Sequence, residues 1–171
     1  MSDISISAMR PSETVRFGEI WIPWLRDSMG RAPEQEDLRI MASPLTYYRE
    51  QGGEVFVARL KNEVVGVVAV KSIGGGNYEF AKLVVHEVAR GLGIGRLLVQ
   101  RCLIFVSECA GKALYLQSFY ALDTAIQLYK RMGFVQVDAP DGMHVLARTE
   151  IVMKAQRNTS SAMNFSKYSS E

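Results

Sequence analysis

The chain has 171 residues, 48% hydrophobic and 22% charged, with a formal net charge of +2. That suits one globular domain with a substantial core, and the electrostatics do not call for a nucleic-acid surface. No apolar run approaches the roughly 20 residues of a membrane span, and the opening MSDISISAMRPSE lacks the charged and apolar regions of a secretion signal, which predicts a cytoplasmic protein.

ISISAMR alternates in polarity and reads as a first strand from Ile4 to Arg10. Pro11 opens a helical pattern that carries Trp21, Trp24 and Leu25 and reaches about Met29, with Pro23 expected to kink or split it. Pro33 begins a second helix through EQEDLRIMAS, its first turn loaded with acids as the helix dipole favours. EVFVARL and EVVGVVAVKSI flank a short Lys61-Asn62 turn and read as an antiparallel hairpin. Glycines at 74–76 turn the chain into NYEFAKLVV, which is apolar on both faces apart from Glu79 and Lys82 and so belongs at the centre of a sheet.

IGRLLVQRCLIFVSECAG is a long helix, with Leu97, Leu98, Arg101, Cys102, Phe105 and Cys109 on or near one face and Gly111 at its end. KALYLQS is a fifth strand, and LDTAIQLYKRM is a helix capped by Asp123 and stopped by Gly133. FVQV and VLARTEIVMK close the fold as a strand pair. Residues 1–154 thus read as a single domain, followed by a Ser/Asn-rich tail, 155–171, expected to be loosely held.

Cys102 and Cys109 lie seven positions apart on one helix. That separates them by roughly 10 Å, too far for a disulfide, and both read as small apolar fillers. His86 and His144 are the only histidines and no tight ligand spacing occurs, so no metal site is expected.

ARGLGIGRLL, residues 89–98, places three glycines between a strand and a helix. Free amides at a helix N-terminus attract anions, and glycine lets the backbone approach a phosphate closely. The spacing is G-x-G-x-G, which is neither the dinucleotide fingerprint nor a Walker loop. On spacing alone, a tight turn that binds nothing remains the alternative.

Arg90-Gly91-Leu92-Gly93-Ile94-Gly95 resembles the Q/R-x-x-G-x-G/A loop of GNAT acetyltransferases, which holds the pyrophosphate of acetyl-CoA. YEFAKLVVHEVARGLGIGRLL resembles that family's fourth strand, loop and third helix, and LYLQS…AIQLYKRMGF its fifth strand and fourth helix. The order of elements fits from Ile4 to Met153. The resemblance implies an α/β (α+β) fold with a mixed, mostly antiparallel sheet of six to seven strands, about four flanking helices, and strands four and five splayed for the cofactor.

It further implies acetyl-CoA as co-substrate and an amine as acceptor. Leu83, Val84 and Val85 would meet the pantetheine arm, with one amide facing the thioester oxygen. Arg90, Gly91, Leu92, Gly93, Ile94, Gly95 and Arg96 would hold the pyrophosphate, with Ser118 and Ala125 also contacting the cofactor. Glu79 is the candidate base that takes the amine's proton, directly or through a water, and Tyr129 the candidate acid for the leaving thiolate. A solvated carboxylate and a core tyrosine are the plain alternatives. Relatives often carry Asn near the end of the fifth strand, where Gln117 and Ser118 stand here.

The segment from Trp21 to Tyr48 is expected to wall the acceptor site, and Trp21, Trp24, Arg26, Arg31, Tyr47 and Tyr48 are its candidates. No nucleic-acid or membrane partner is expected, and a homodimer is left open. Two other classes remain: a non-catalytic acyl-CoA sensor or interaction domain, and a basic module for RNA or protein.

Overall fold

The computed structural model describes residues 3–156. Seven strands form one sheet: β1 (Ile4–Ala8), β2 (Glu54–Leu60), β3 (Glu63–Gly74), β4 (Asn77–Val85), β5 (Ala113–Ser118), β6 (Phe134–Gln136) and β7 (Ile151–Ala155). Their order across the sheet is β1-β2-β3-β4-β5-β7-β6. Every neighbouring pair is antiparallel except β4 and β5, which run parallel. This is the expected mixed sheet.

Helices cover both faces. α1 (Thr14–Pro23), α2 (Gln35–Ala42) and α3 (Pro44–Glu50) pack on one side through Phe17, Ile20, Trp21, Ile40, Leu45 and Tyr48. α4 (Ile94–Glu108) and α5 (Asp123–Arg131) cover the other through Ile94, Leu98, Val99, Cys102, Ile126 and Tyr129. β3 feeds both cores by alternation: Val68 and Val70 face α4, while Val67 and Ala69 face α1. Burial on both faces makes β3 and β4 the central strands.

Pro23 ends α1, and a wider turn of π type follows over Trp24–Ser28, as its missing amide requires. Several boundaries differ from the sequence reading. β1 stops at Ala8 rather than Arg10. PLTYYRE forms α3, a short helix opened by Pro44 that the sequence reading missed. Asp123 is the first residue of α5 and does not cap it; its Oδ1 instead accepts from Gln127 Nε2 at 3.4 Å.

The last strand begins at Ile151 rather than Val145, and residues 137–150 are an irregular loop laid across the sheet end. Gly142 anchors that loop: a Cβ there would lie 2.0 Å from the Ile73 carbonyl oxygen. Cys102 is buried as expected, but Cys109 is exposed where α4 ends. Of the expected tail, only Ala155 and Gln156 are described, and residues 157–171 lie outside the described residues. No described helix is long and apolar enough to cross a membrane.

Candidate active site

β4 and β5 pair only over three positions, Asn77 to Glu79 against Ala113 to Tyr115. Beyond Glu79 they part, leaving the β4 edge from Phe80 to Val85 without a strand partner on that side. Right-handed twist favours such divergence once cross-strand contacts are interrupted. A cleft of about 210 Å³ opens at the gap, lined by β4, β5, all three helices of one face and the 137–150 loop, and it reaches through to Tyr129 on the other face.

A bulge in β4 shapes the cleft. Lys82 adopts φ +61°, and Lys82 and Leu83 together span the single β3 residue Val68. The extra residue shifts the alternation by one, as bulges do. Phe80 and Leu83 therefore share the α4 face, and Lys82 turns toward α1 and α2. There its ammonium lies 3.7 Å from the Trp21 ring centroid and 2.8 Å from Asp37 Oδ1.

Glu79 stands where the splay begins and is 5% exposed. Gln117 Nε2 donates to its Oε2 at 2.7 Å, and Lys71 Nζ lies 4.0 Å from Oε1. Burial pushes its carboxyl above the ordinary range, although Gln117, Lys71 and His144 pull the other way. A carboxylate reluctant to ionise and facing a cleft is suited to accepting a proton.

Tyr129 reaches the same cleft from α5 and is 6% exposed. Its ring packs edge-on against Phe80, centroids 5.5 Å apart, and tilted against Phe134 at 6.0 Å. Burial raises the phenol well above its ordinary value, so it stays protonated. No described residue hydrogen-bonds its hydroxyl.

The glycine loop lies past the other end of β4. Gly91 and Gly93 have φ of +79° and +77°, Gly93 standing immediately before α4, and a Cβ at either would meet nothing within 4 Å. Only glycine takes this backbone without strain, and the side left open faces away from the fold. Gly95 is different: its φ is ordinary for a helix and its Cβ would touch Leu128 Cδ2 at 3.4 Å. Ile94 is buried while Leu92 and Arg96 are exposed. Arg90 folds back, its Nε donating to the Val85 carbonyl at 3.3 Å. Val84 points into the α1-side core, Ala125 packs on the α4-side core, and Leu83 and Ser118 line the cleft.

The acceptor-side candidates divide. Trp21, Trp24, Arg31, Tyr47 and Tyr48 line the cleft, whereas Arg26 does not. Arg31 lies over the Phe119 ring at 5.2 Å. Lys71, Lys82, His144, Leu146, Arg148 and Thr149 also line the cleft without having been assigned to it from sequence, and Gln117, noted there beside Ser118, lines it and bonds Glu79. The one available signal was that Glu79 and Lys82 are the only charged residues of an apolar strand.

The acetyltransferase (GNAT) domain family matches residues 51–136. The chain belongs to the GNAT acetyltransferase family. Its match includes β4, the glycine loop, α4, β5 and α5, and leaves out α1, α2, α3 and the 137–150 loop. The GNAT core thus holds Glu79 and Tyr129, while much of the cleft wall comes from outside it.

A GNAT-family acetyltransferase from Staphylococcus aureus Mu50 superposes with a TM-score of 0.81 at 18% identity, over 89% of this chain and 98% of that one. yncA from Salmonella typhimurium, solved with its cofactor acetyl-CoA, gives 0.71 at 17% identity over 91% and 94%. The PaiA N-acetyltransferase from Thermoplasma acidophilum, solved with coenzyme A, gives 0.68 at 14% identity over 91% and 99%. These likenesses establish the GNAT fold. No curated protein matches in sequence.

Proposed function

We propose that residues 1–154 form an acetyl-CoA-dependent N-acetyltransferase that moves the acetyl group to an amine by direct attack in a ternary complex. The observation that carries the reading is the convergence of Glu79 and Tyr129 on one cleft at the β4–β5 splay. The residues present suit acetyl-CoA. An unpartnered strand edge offers amides and carbonyls to an extended pantetheine arm, and Leu83, Val84 and Val85 lie along it. Glycines 91 and 93 leave the start of α4 open to a pyrophosphate, with Arg90 and Arg96 beside it. Ser118 lines the gap from β5, and Ala125, packed on the α4-side core, is assigned to the cofactor by the family's pattern alone.

Acetyl-CoA supplies an activated acetyl group whose bond to sulfur breaks as the bond to the amine nitrogen forms. An alkyl ammonium with pKa near ~10 is almost wholly protonated at neutral pH, so a base must act first. Glu79 Oε takes that proton, and burial makes it a stronger base than an exposed glutamate. The Tyr129 hydroxyl gives its proton to the departing sulfur. The water exclusion that raises the phenol raises a thiolate beside it too, which keeps the pair matched.

The test is a panel of amines, amino acids and peptide N-termini with acetyl-CoA, following thiol release. Turnover of at least one amine is expected, and Glu79→Gln should show a defect that shrinks as pH nears the acceptor's own pKa. A Glu79→Gln defect flat across pH removes that residue as base. Acetyl-CoA binding without turnover on any amine would favour a sensor. The reading carries a cytoplasmic location, and mass measurement in solution decides whether a homodimer forms.

A further inference from the structure

We infer that Gln117 is a positioning residue that holds the Glu79 carboxylate and the 144–149 segment as one rigid unit. Its amide is fully used. Nε2 donates to Glu79 Oε2 at 2.7 Å and to the His144 carbonyl at 3.0 Å. Oε1 accepts from the Leu146 amide at 3.0 Å and from the Thr149 hydroxyl. The assignment of O and N is forced, because the Leu146 amide can only donate and a carbonyl can only accept. One side chain on β5 therefore joins the candidate base on β4 to the loop that roofs the cleft.

Gly142 packs the first half of that loop against Ile73, and Met143 N to the Pro140 carbonyl and Thr149 N to the Leu146 carbonyl are bonds within the loop itself. Its ends are tied by Val137 N to the Val152 carbonyl and by Glu150 N to the Ser118 carbonyl. Between them, Arg148 makes a 3.9 Å ion pair with Glu34, whose side chain is largely exposed. The Gln117 amide ties the 144–149 half to β5. Its effect on Glu79 is separable from the other groups facing that carboxyl, which are Lys71 on β3, Tyr48 on α3 and His144 on the loop. A donor to a carboxylate favours the ionised form, so removing it raises the carboxyl's titration midpoint.

This inference deepens the reading of Glu79 as the base, but its test does not depend on turnover. The Glu79 side-chain carboxyl is titrated by carbon NMR in the full chain, its signal assigned by Glu79→Gln, and amide exchange is followed at Leu146. Gln117→Leu removes all four bonds. The Glu79 midpoint should rise by about one unit, and Leu146 exchange should accelerate about tenfold.

Gln117→Glu splits the two roles. It keeps an oxygen for Leu146 and Thr149 but loses the bond to the His144 carbonyl and puts a second carboxylate against Glu79. The midpoint should then rise further than in Gln117→Leu, while Leu146 exchange stays near wild type. A role in packing alone predicts no such opposition. If Gln117→Leu does not fold, Gln117→Glu carries the test, since its two readouts move differently. An unmoved Glu79 midpoint, or Leu146 exchange unchanged in Gln117→Leu, overturns the inference. Turnover that survives in Glu79→Gln instead removes the base assignment and leaves these two measurements standing.

Discussion

Lys82 and Asp37, 45 positions apart, form a 2.8 Å ion pair that ties the β4 bulge to α2. Both side chains are 9% exposed. Burial opposes ionisation of Asp37, but the bonds from Lys82 and the Glu34 amide outweigh it and hold the carboxyl below the ordinary range. The pair fixes one wall of the cleft relative to the strand that carries Glu79.

Asp37→Ala leaves the Lys82 ammonium buried without its counter-charge and should cost about 3–5 kcal/mol. Replacing both partners, as Asp37→Leu with Lys82→Met, should cost much less. Urea unfolding of the three variants checks this. A loss under about 1 kcal/mol in Asp37→Ala would show that water or another acid takes over the lysine.

A second prediction concerns acid stability. Arg59 donates to both Glu13 carboxylate oxygens, at 2.7 and 2.8 Å, and this pairing holds Glu13 below the ordinary range. A depressed folded-state value contributes stability that is complete above the unfolded carboxyl's pKa and is lost as pH falls through the folded one. Glu13→Gln should therefore destabilise by about 2 kcal/mol at neutral pH and by progressively less toward pH ~3. Parallel melting curves for wild type and variant at every pH would refute the assignment.

Gly93 separates strain from binding. With φ +77° and no atom within 4 Å of its Cβ position, Gly93→Ala should cost only the left-handed penalty of about 1–2 kcal/mol. Gly93→Asp should be similarly stable but lose at least about tenfold in acetyl-CoA affinity, because its charge meets the pyrophosphate. Calorimetric titration decides. Equal affinity in a folded Gly93→Asp protein would move the pyrophosphate elsewhere.

Tyr129→Phe keeps the ring against Phe80 and Phe134 and removes the proton. If the phenol is the acid, kcat should fall about 10²–10⁴-fold with little change in acetyl-CoA affinity. Near-normal kcat with chemistry rate-limiting would leave Tyr129 as a packing residue.

What the sequence made legible was whatever depends on periodicity and glycine chemistry. Alternation places β1, apolar runs around the Lys61-Asn62 and glycine turns place β2 to β4, the long apolar face places α4, and the spacing of Gly91 and Gly93 marks the loop. What it hid depends on distant partners. PLTYYRE has too few residues to show a helical face, and its Leu45 and Tyr48 are buried against β2 and β3 only in the fold. The Lys82 bulge carries no glycine to announce a positive φ, since Trp21 and Asp37 compensate the strained lysine. VLARTE has the composition of a strand, but Gln117 takes the Leu146 amide and Thr149 hydroxyl, and that stretch remains a loop.

The three-position seam between β4 and β5 makes the sheet two plates joined by a short hinge, β1-β2-β3-β4 on one side and β5-β7-β6 on the other. A plate edge that lacks its neighbour is where such an assembly yields first under load or heat. Whatever fills the gap acts as a strut, resisting separation of the plates as well as occupying a pocket. Saturating acetyl-CoA at about a hundred times its dissociation constant adds ~2.7 kcal/mol by mass action alone. Slower amide exchange along β5 and β7, strands remote from the glycine loop, would be the signature of that bracing.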